Sequence, residues 1–461
     1  MLLRDLLIAT KDGDWGEDAP RAGFVPYRVI RGADFPEVKV GEVRSVPIRF
    51  LDSGTVTRRV LQPSDIIIET AGGNRDRPTG RTLLVTQRLI NSFDLPATCA
   101  SFCRFLRVDP SKADPRFVYW FLQHLYVQGQ MWEHQVQHTG VARFQYTRFA
   151  ETTDVPLLPA KEQKEIAEIL GTLDDKIELN RRMNETLEAM VRAIFKSWFV
   201  DFDPVRAKAE GRQPFGMDAE AAALFPGSFL DSPLGKIPKG WRVGVLGEHV
   251  DAIRGLSYTG AGLAEVGFPL HNLNSVREGG GYKYEGLKHY IGEYEERHIV
   301  RPGDLIVTNT EQGFDFLLIG YPAIIPRCYG ERGLFSHHLY RVRPKQSSPI
   351  KLHFLYLLLM SPAVRAQIVG CTNGTTVNML APDGLERPQF VLPPDRLIAA
   401  FEGIAEPIHA RTETNREESE TLTQIRDVLL PKLISGEIRV KDSSRVCSCQ
   451  IGSEGGANEA N

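Results

Sequence analysis

Residues 166–198 decide the fold, and they read IAEILGTLDDKIELNRRMNETLEAMVRAIFKSW. Apolar side chains and two asparagines recur there in steps of four and three, at Ile166, Leu170, Leu173, Ile177, Asn180, Asn184, Leu187, Val191, Ile194 and Trp198. This spacing predicts a long helix with one coiled-coil seam, in which two adjacent core positions are polar. Pro159 and Pro204 predict the two ends, because proline cannot continue a helix. About forty residues would span ~60 Å, so the apolar stripe needs a partner.

The partner is predicted within the same chain. Asn180-Arg181 followed by Glu185-Thr186-Leu187 recurs 235 residues later as Asn415-Arg416 followed by Glu420-Thr421-Leu422. A second long helix is therefore expected over 395–435, with breaks at Pro431 and Gly436. The residues expected to pair the two helices are Ile166, Leu170, Leu173, Ile177, Asn180, Leu187, Phe401, Ile408, Asn415, Leu422 and Leu429.

The blocks before the two helices also repeat. Leu106–Pro110 parallels Tyr340–Pro344 at an offset of 234, and Phe117 and Gly140 parallel Phe354 and Gly374. The strings PSDIII at 63–68 and PGDLIV at 302–307 both predict a turn followed by a buried strand. We expect an α+β fold with two such domains in tandem, separated by two long antiparallel coiled-coil helices. The expected boundaries are 1–150 (first domain), 151–203 (first helix), 204–234 (linker), 235–390 (second domain), 391–440 (second helix) and 441–461 (disordered tail).

Charge is distributed unevenly along the 461 residues, whose net charge is −3. The two expected domains carry +4 and +3, whereas 151–234 and 391–461 carry −6 and −4. Such a basic excess is weak evidence for nucleic-acid binding, which depends on clustered cations. Six irregularly spaced cysteines without a C-x2-C pair predict free buried or tail thiols rather than a zinc or disulfide framework. The apolar runs are too short for a signal peptide or a membrane span, so we expect a cytoplasmic protein.

The sequence offers no convincing catalytic or metal constellation. Asp154 with Glu162 and Lys164 superficially resembles a nuclease motif, but charges at a helix start are ordinary. His337-His338 has no third ligand at a suitable spacing, which favours a polar strand-end pair over a metal site. We therefore predict neither catalysis nor a bound cofactor or metal in this chain.

Polar side chains in expected loops fit nucleic-acid recognition better. Arginine forks match guanine edges or phosphates, and asparagine or glutamine amides match adenine. The same residue types also cap turns, which is the more common use of any single one. The candidate DNA contacts are Arg58, Arg59, Arg75, Arg77, Arg81, Arg143 and Gln145 in the first domain, and His271, Asn272, Asn274, Asn309, Gln312, Asn373, Thr375, Thr376 and Asn378 in the second.

Several longer motifs resemble the specificity subunits of type I restriction-modification enzymes. They are LLPAKEQKEI at 157–166 with NRRMNETL at 180–187, AIFKSWFVDFDP at 193–204, KIPKGW at 236–241 and RDVLLPKLISGEI at 426–438. The resemblance covers nearly the whole chain. It departs at the N-terminus, which lacks the usual Pro-x-Gly-Trp motif, and at 11–23, which resemble an insertion or a variant strand pair.

The resemblance implies two target-recognition domains that read the halves of a bipartite, asymmetric site in double-stranded DNA. It further implies two modification subunits, which carry S-adenosylmethionine, and restriction subunits that join them. An alternative from the residues alone is a coiled-coil adaptor without DNA readout. A self-contained methyltransferase or nuclease is a third hypothesis, disfavoured by the missing motifs.

Overall fold

The computed structural model describes residues 1–73, 77–137, 142–312, 315–374, 377–381 and 383–440. Arg75, Gly140, Thr375, Thr376 and the expected tail 441–461 lie outside the described residues. The chain forms two compact units, of which unit 1 is Met1–Leu179 with Ser419–Asn461 and unit 2 is Asn180–Glu418. Each unit takes one half of each long helix, so the units cross the linear domain boundaries expected from the sequence, and those boundaries stay a prediction.

Unit 1 mixes short strands with helices. Its described strands are β1 (Leu7–Asp12), β2 (Phe24–Ile30), β3 (Ile48–Asp52), β4 (Ile66–Glu69), β5 (Ala71–Gly73), β6 (Thr82–Leu84), β7 (Ala97–Cys99), β8 (Cys103–Val108), β9 (Gln135–Gln137) and β10 (Ala142–Phe144). The helices are α1 (Phe35–Lys39), α2 (Ser53–Val56), α3 (Gln87–Ser92), α4 (Pro115–Val127), α5 (Tyr146–Thr152) and the first half of α6 (Ala160–Phe195). The sheets have the orders β1-β8-β4-β6, β3-β2-β7 and β5-β10-β9.

The core of unit 1 follows from local sequence rules. Strand β4 is buried along its length, as expected for the β-branched run Ile66-Ile67-Ile68. Helix α4 begins at Pro115, and the Asp114 side chain accepts from the Arg116 and Phe117 amides at 2.8 and 3.3 Å. Its buried aromatic residues pack in one cluster with the apolar starts of β1 and α6.

Unit 2 begins in the second half of α6, which ends in a π-helical turn, Lys196–Val200. The helices that follow are α7 (Asp203–Ala209), α8 (Ala219–Ala223), α9 (Leu246–His249), α10 (Leu352–Met360), α11 (Pro362–Gly370) and α12 (Asp395–Ile434), whose last part belongs to unit 1. The described strands are β11 (Phe229–Ser232), β12 (Gly235–Pro238), β13 (Arg242–Val245), β14 (Val250–Arg254), β15 (Leu263–Ala264), β16 (Phe268–His271), β17 (Lys288–Tyr290), β18 (Ile299–Val300), β19 (Leu305–Thr308), β20 (Thr310–Gln312), β21 (Pro322–Ile324), β22 (Gly333–Phe335), β23 (Leu339–Pro344), β24 (Thr372–Asn373), β25 (Val377–Leu380) and β26 (Gln389–Leu392).

The sheets of unit 2 repeat those of unit 1. The order β14-β23-β19-β21 corresponds to β1-β8-β4-β6, and β20-β25-β24 corresponds to β5-β10-β9. A third sheet, β15-β17-β16-β22-β18, contains the parallel pair β16–β22 where unit 1 has the parallel pair β2–β7. Two strand pairs, β11–β12 and β13–β26, complete the described part of unit 2. The buried strands predicted from PSDIII and PGDLIV are confirmed as β4 and β19.

One feature of the predicted repeat is wrong by two residues. Ile66 pairs with Leu106, whereas the equivalent Leu305 pairs with Val342, so Arg107 corresponds to Arg343 rather than Arg341. The ion pairs give the physical reason, since Arg107 binds Asp65 through two nitrogens at 2.8 Å. Arg343 binds the equivalent Asp304 in the same way, at 2.5 and 2.6 Å.

The second long helix differs from its prediction at one end. Helix α12 continues through Pro431 to Ile434 rather than breaking at Pro431. Leu430, Leu433 and Ile434 are buried in the core of unit 1, and this burial stabilises the final turn around the proline. Among the described residues, none of the individual helices has the length and apolar character to cross a bilayer, although α10 and α11, bent by 69°, pass that test as a pair.

Candidate nucleic-acid interface

Two of the arginines predicted to contact DNA are engaged inside unit 1. Arg81 donates to both carboxylate oxygens of Glu69, at 2.9 and 2.8 Å, and to the Gly32 carbonyl at 2.6 Å. The hydrogen bond to Glu69 raises the pKa of Arg81 above its usual value. Arg59 donates to the Asp12 carbonyl at 3.1 Å and lies 3.5 Å from Asp14. Both guanidinium groups therefore hold the fold together, and their contact with DNA stays an untested prediction.

Other predicted side chains of unit 1 reach the surface. Arg58 follows α2 and is exposed, and Arg143 and Gln145 are exposed on β10 and immediately before α5. Arg77 donates to the Gly72 carbonyl at 2.7 Å and keeps 40% of its side chain exposed. Of the predicted contacts in the described part of unit 1, three cationic side chains and one amide therefore reach the surface.

In unit 2 four of the predicted contacts are buried, namely His271, Asn272, Asn309 and Asn378, and the partners of His271 and Asn309 are internal. His271 donates to or accepts from the Tyr282 hydroxyl at 2.7 Å, and burial lowers the pKa of this histidine to about 3. Asn309 is 1% exposed and its amide donates to the His337 carbonyl at 3.0 Å. These two polar groups satisfy internal partners, because an unpaired buried polar group is costly. Neither can reach a base edge while buried, so the structure gives the DNA-contact prediction no support at these two positions.

An open groove of about 730 Å³ brings two other predicted residues together with cations. Asn272 and Asn274 line it. The Asn272 side chain is buried and accepts from the Asn274 backbone amide at 2.8 Å, and the Lys283 ammonium donates to the Asn274 amide oxygen at 2.9 Å. Arg277 and Lys288 are exposed at the same groove. Clustered cations beside amides are suited to phosphates and base edges.

The sequence prediction missed the three cations of this groove. Arg277, Lys283 and Lys288 flank the glycine run 279–281. Glycines permit the tight turns that bring such side chains together, and Gly279 does adopt a positive φ of 77°. A basic segment around a glycine run was therefore a signal that the sequence contained.

The remaining predicted contacts of unit 2 lie on the sheet β20-β25-β24. Asn373 is exposed on β24, whereas Asn378 on β25 is 3% exposed. Gln312 belongs to β20 and pairs with Val377, but its side chain lies outside the described residues. Thr375 and Thr376 also lie outside them. Asn373 is thus the one candidate of this group whose described side chain reaches solvent.

The residues predicted to pair the helices lie along contacting faces inside each unit. In unit 1, Ile166 and Leu170 are fully buried with Leu430 and Leu433, and Leu173, Ile177, Leu422 and Leu429 are half-buried. In unit 2, the Phe401 ring lies 5.7 Å from that of Phe195. Leu187 and Ile408 are half-buried there.

Polar contacts join the helices at the asparagine positions. The Asn180 amide donates to the Asn415 carbonyl at 3.2 Å and to Glu418 at 2.8 Å. The Asn415 amide donates to the Asn184 side-chain oxygen at 2.8 Å, and the Asn184 amide donates to the Thr412 carbonyl at 3.0 Å. Asn180 contacts Glu418, whereas Asn184, further along α6, contacts Thr412, which is earlier in α12. The two helix segments are therefore antiparallel in unit 2.

A carboxylate that the sequence prediction missed ties α12 to the loops of unit 2. Glu413 is 5% exposed and accepts from the Arg327 amide at 3.0 Å, from Arg416 at 2.9 Å and from the Tyr284 hydroxyl at 3.5 Å. The Arg416 guanidinium lies 4.9 Å from the centre of the Tyr284 ring. Burial raises the pKa of Tyr284 well above its usual value. Glu413 therefore links α12 to the loops that contain Tyr284 and Arg327 through a network of hydrogen bonds and one ion pair.

The histidine pair and the carboxylates weighed earlier have structural neighbours. The His337 and His338 rings lie 3.9 Å apart, and His338 Nδ1 is 3.2 Å from the Thr310 hydroxyl. Glu162 binds Arg439 at 2.5 Å. The described ranges contain no group of three or more histidine, cysteine or acidic side chains that could hold a metal ion. Cys328 is exposed rather than buried, in contrast to the expectation for the thiols outside the tail.

Comparison with known proteins gives these surfaces a context. A family model described as the type I restriction modification DNA specificity domain matches residues 57–189. The chain is 29% identical over 338 residues to the type I restriction enzyme HindI specificity subunit of Haemophilus influenzae, covering 61% of this chain and 68% of that protein. Over these ranges the chain is similar to type I restriction enzyme specificity subunits. The adaptor hypothesis is accordingly not favoured.

Two further comparisons are informative. The MjaIX specificity subunit of Methanocaldococcus jannaschii is 27% identical over 301 residues, which cover 63% of this chain and 61% of that protein, so less than two thirds of that relative is matched. The crystal structure of the S subunit from M. genitalium matches with a TM-score of 0.55 at 16% identity, and it covers 94% of this chain and 95% of that one. This likeness supports a shared fold of mixed helix and sheet.

Proposed function

We propose that this chain reads a bipartite, asymmetric sequence in double-stranded DNA and directs partner subunits to methylate adenine or cleave there. The observation that carries the proposal is the repeat of one sheet topology in two units whose exposed side chains differ. Unit 1 exposes Arg58, Arg77 and Arg143, whereas unit 2 exposes Asn274 beside the cations of its groove. We call the repeated sheets of each unit its frame. Two related frames with different polar surfaces suit two different half-sites.

We further propose that the two frames are tandem target-recognition domains separated by an antiparallel coiled coil of α6 and α12. The buried apolar contacts of Ile166 and Leu170 in unit 1, and of Phe401 in unit 2, support this arrangement. Helices of 36 and 40 residues would then set the distance between half-sites. Recognition elements on one face of DNA meet successive major grooves about 34 Å apart.

The chemistry is proposed to belong to partners. Two modification subunits would bind S-adenosylmethionine and transfer its methyl group, and restriction subunits would join them in the cytoplasm, where the DNA lies. This chain would supply specificity without turnover or a cofactor of its own. Methylation or cleavage of DNA by the purified chain, free of other subunits and supplied with S-adenosylmethionine, would contradict this division of labour.

The decisive experiment exchanges residues 1–150 for the equivalent block of a relative with a different target, followed by genome-wide mapping of methylated adenines. We expect a hybrid site in which one half has changed and the other is retained. Cells that lack this chain are the control and should lose methylation at the original site. Simultaneous change of both halves, or unchanged methylation, would contradict two independent recognition domains.

A second experiment tests the groove of unit 2. Lys288→Ala should weaken binding to all duplex sequences and reduce the slope of log K against log salt by about 0.9, because one phosphate contact is lost. The measurement is a salt titration of the chain assembled with its modification partner. Lys239→Ala removes an exposed lysine that does not line the groove and should leave the slope unchanged. Equal slopes for both variants would place the groove away from DNA.

A further inference from the structure

The sheets β5-β10-β9 and β20-β25-β24 have the same strand order and share their pairing at one central position, although β5–β10 shifts register between Ala142 and Arg143 and β20–β25 does not. Arg143 on the central strand of unit 1 pairs with Ala71 on one side and Val136 on the other. Met379 on the central strand of unit 2 pairs with Thr310 and Asn373. Ala71 and Thr310 each lie five residues beyond the first residue of the buried strand, Ile66 or Leu305. Arg143 and Met379 therefore occupy one structural position in the two units.

This position faces outward in both units. Exposure alternates along β10, where Ala142 and Phe144 are buried and Arg143 is exposed. It alternates likewise along β25, where Val377 and Met379 are 41% and 38% exposed. Among the described residues Arg143 makes no side-chain hydrogen bond or ion pair. An exposed arginine without a partner and two exposed apolar side chains on a strand contribute little to stability.

The four-stranded sheet behind this position and one of its ion pairs are preserved between the units. The aspartate before the buried strand and the arginine that binds it recur as Asp65 with Arg107 and Asp304 with Arg343. A recognition surface built twice on one frame must differ where it meets different bases. The position of Arg143 and Met379 differs in charge, size and hydrogen-bonding capacity, although its strand-pairing partners are equivalent in the two units.

We infer that Arg143 and Met379 are equivalent base-reading positions, which rests on the proposed DNA-binding function. The Arg143 fork fits the O6 and N7 acceptors of guanine in one half-site. Met379 offers an apolar contact to a thymine methyl group, and its neighbour Asn373 offers an amide to adenine, so this position selects an A·T base pair in the other half-site. Met379 was not a candidate from the sequence, because strand register decides which residues lie on the exposed face of the small sheet.

The test selects binding sites from duplexes with randomised half-sites, using the full chain assembled with its modification partner. Arg143→Ala should reduce the preference for guanine at one base pair by about 5- to 150-fold. The second half-site should be unaffected. Met379→Arg should introduce a guanine preference at one base pair of the second half-site. Both positions are exposed, so the melting temperatures of the variants should match the parent.

Matched controls are Arg88→Ala on α3 and Val266→Ala, which remove an exposed arginine and an exposed apolar side chain outside the small sheets. Neither should change the selected bases. Uniform weakening by Arg143→Ala, without a change in base preference, would overturn base reading in favour of a phosphate contact. If the parent chain selects a split site and both Arg143→Ala and Met379→Arg select that same site, the base-reading inference is overturned and the proposed function is not. A parent without any sequence preference would instead overturn the proposed function.

Discussion

Asp65 and Asp304 each organise a turn before a buried strand. Asp65 accepts the Gln62 amide at 2.7 Å in addition to its two bonds from Arg107, and Asp304 accepts the Arg301 amide at 2.8 Å. The environments differ, since the Asp65 and Arg107 side chains are 1% and 23% exposed, and those of Asp304 and Arg343 are 11% and 44% exposed. The same pair should therefore contribute more stability in unit 1.

Replacing Asp65 with alanine should lower the free energy of unfolding by about 3 kcal/mol or more, because it leaves a partly buried guanidinium unpaired. Asp304→Ala should cost less, since water can solvate Arg343. Urea unfolding of both variants measures the difference. As a control, Glu17→Ala removes a 56% exposed partner of Arg21, which is itself 67% exposed, and should cost at most about 1 kcal/mol. Equal losses for Asp65→Ala and Asp304→Ala would contradict the argument from burial.

Ser64 and Gly303 occupy the same left-handed turn, with φ of 73° and 86°. Their amides donate to equivalent carbonyls, Val85 at 2.7 Å and Ile325 at 2.9 Å. Ser64→Gly should raise the stability of unit 1 by up to about 1 kcal/mol, because a side chain is strained at positive φ. Gly303→Ser should lower the stability of unit 2. Thermal unfolding of the two variants and the parent measures both effects. A loss of stability in Ser64→Gly would show that chain entropy outweighs the strain.

His271 makes stability depend on pH. Burial lowers its pKa to about 3, whereas a histidine in an unfolded chain titrates near 6.5. Between these values the unfolded chain binds a proton that the folded chain does not, so stability should fall as pH decreases below about 6.5, by up to ~1.4 kcal/mol per pH unit. His271→Gln should reduce this dependence between pH 6.5 and 5 in urea unfolding, while His409, whose pKa burial lowers to about 4, continues to contribute to it. An unchanged slope would assign the effect to other groups.

The candidate residues were predictable by type but not by exposure. Asn309 and Asn373 are the same amino acid in similar loop-like sequence, yet the first supports a neighbouring backbone carbonyl and the second faces solvent. Arg81 and Arg143 differ in exposure in the same way. Strand pairing brings Glu69 beside Arg81, whose guanidinium binds it, whereas Arg143 stays exposed. Local sequence does not contain these partners, since they are distant along the chain.

At the scale of elements, helix periodicity was the reliable signal. The start of α6 at Ala160 agrees with the prediction from Pro159, because helix contacts are local. Strand register was predicted less well, as the two-residue error between β8 and β23 shows. Strands of three to six residues carry little pattern of their own, and their alignment depends on distant partners such as Asp304.

The polar seam gives a prediction at this scale. Replacing Asn180 and Asn415 together with leucine should maintain or raise the melting temperature, because apolar seam residues pack well. The double variant should also admit more than one helix register, seen as a broader distance distribution between spin labels on α6 and α12. Thr186 and Thr414 are exposed on the same helices, and their double replacement with leucine should leave the distribution narrow. A narrow distribution in both variants would show that the asparagines do not fix register.

At the scale of the whole molecule, unit 1 draws its core from both parts of the chain. Leu3, Leu6, Ile166 and Leu170 are fully buried in one cluster with Leu433. A chain ending at residue 418 should therefore leave apolar surface of unit 1 exposed. Limited proteolysis should cut within 1–179 of this shortened chain and spare the same region of the full chain. Resistance of that region in both chains would show that it folds without 419–440.

Unit 1 is built from two segments that are distant along the chain, and this affects the order in which the units fold during synthesis. Leu433 follows Leu170 by 263 residues, and both must be present before the cluster can close. A ribosome that adds roughly 5–20 residues per second needs on the order of 13–50 s for that interval. Unit 2 can complete its own contacts during this time, because all its residues lie between the two parts of unit 1. The first unit to begin synthesis is thus the last to finish folding, and until residues 419–440 emerge its apolar residues Leu3, Leu6 and Leu170 lack their partner Leu433.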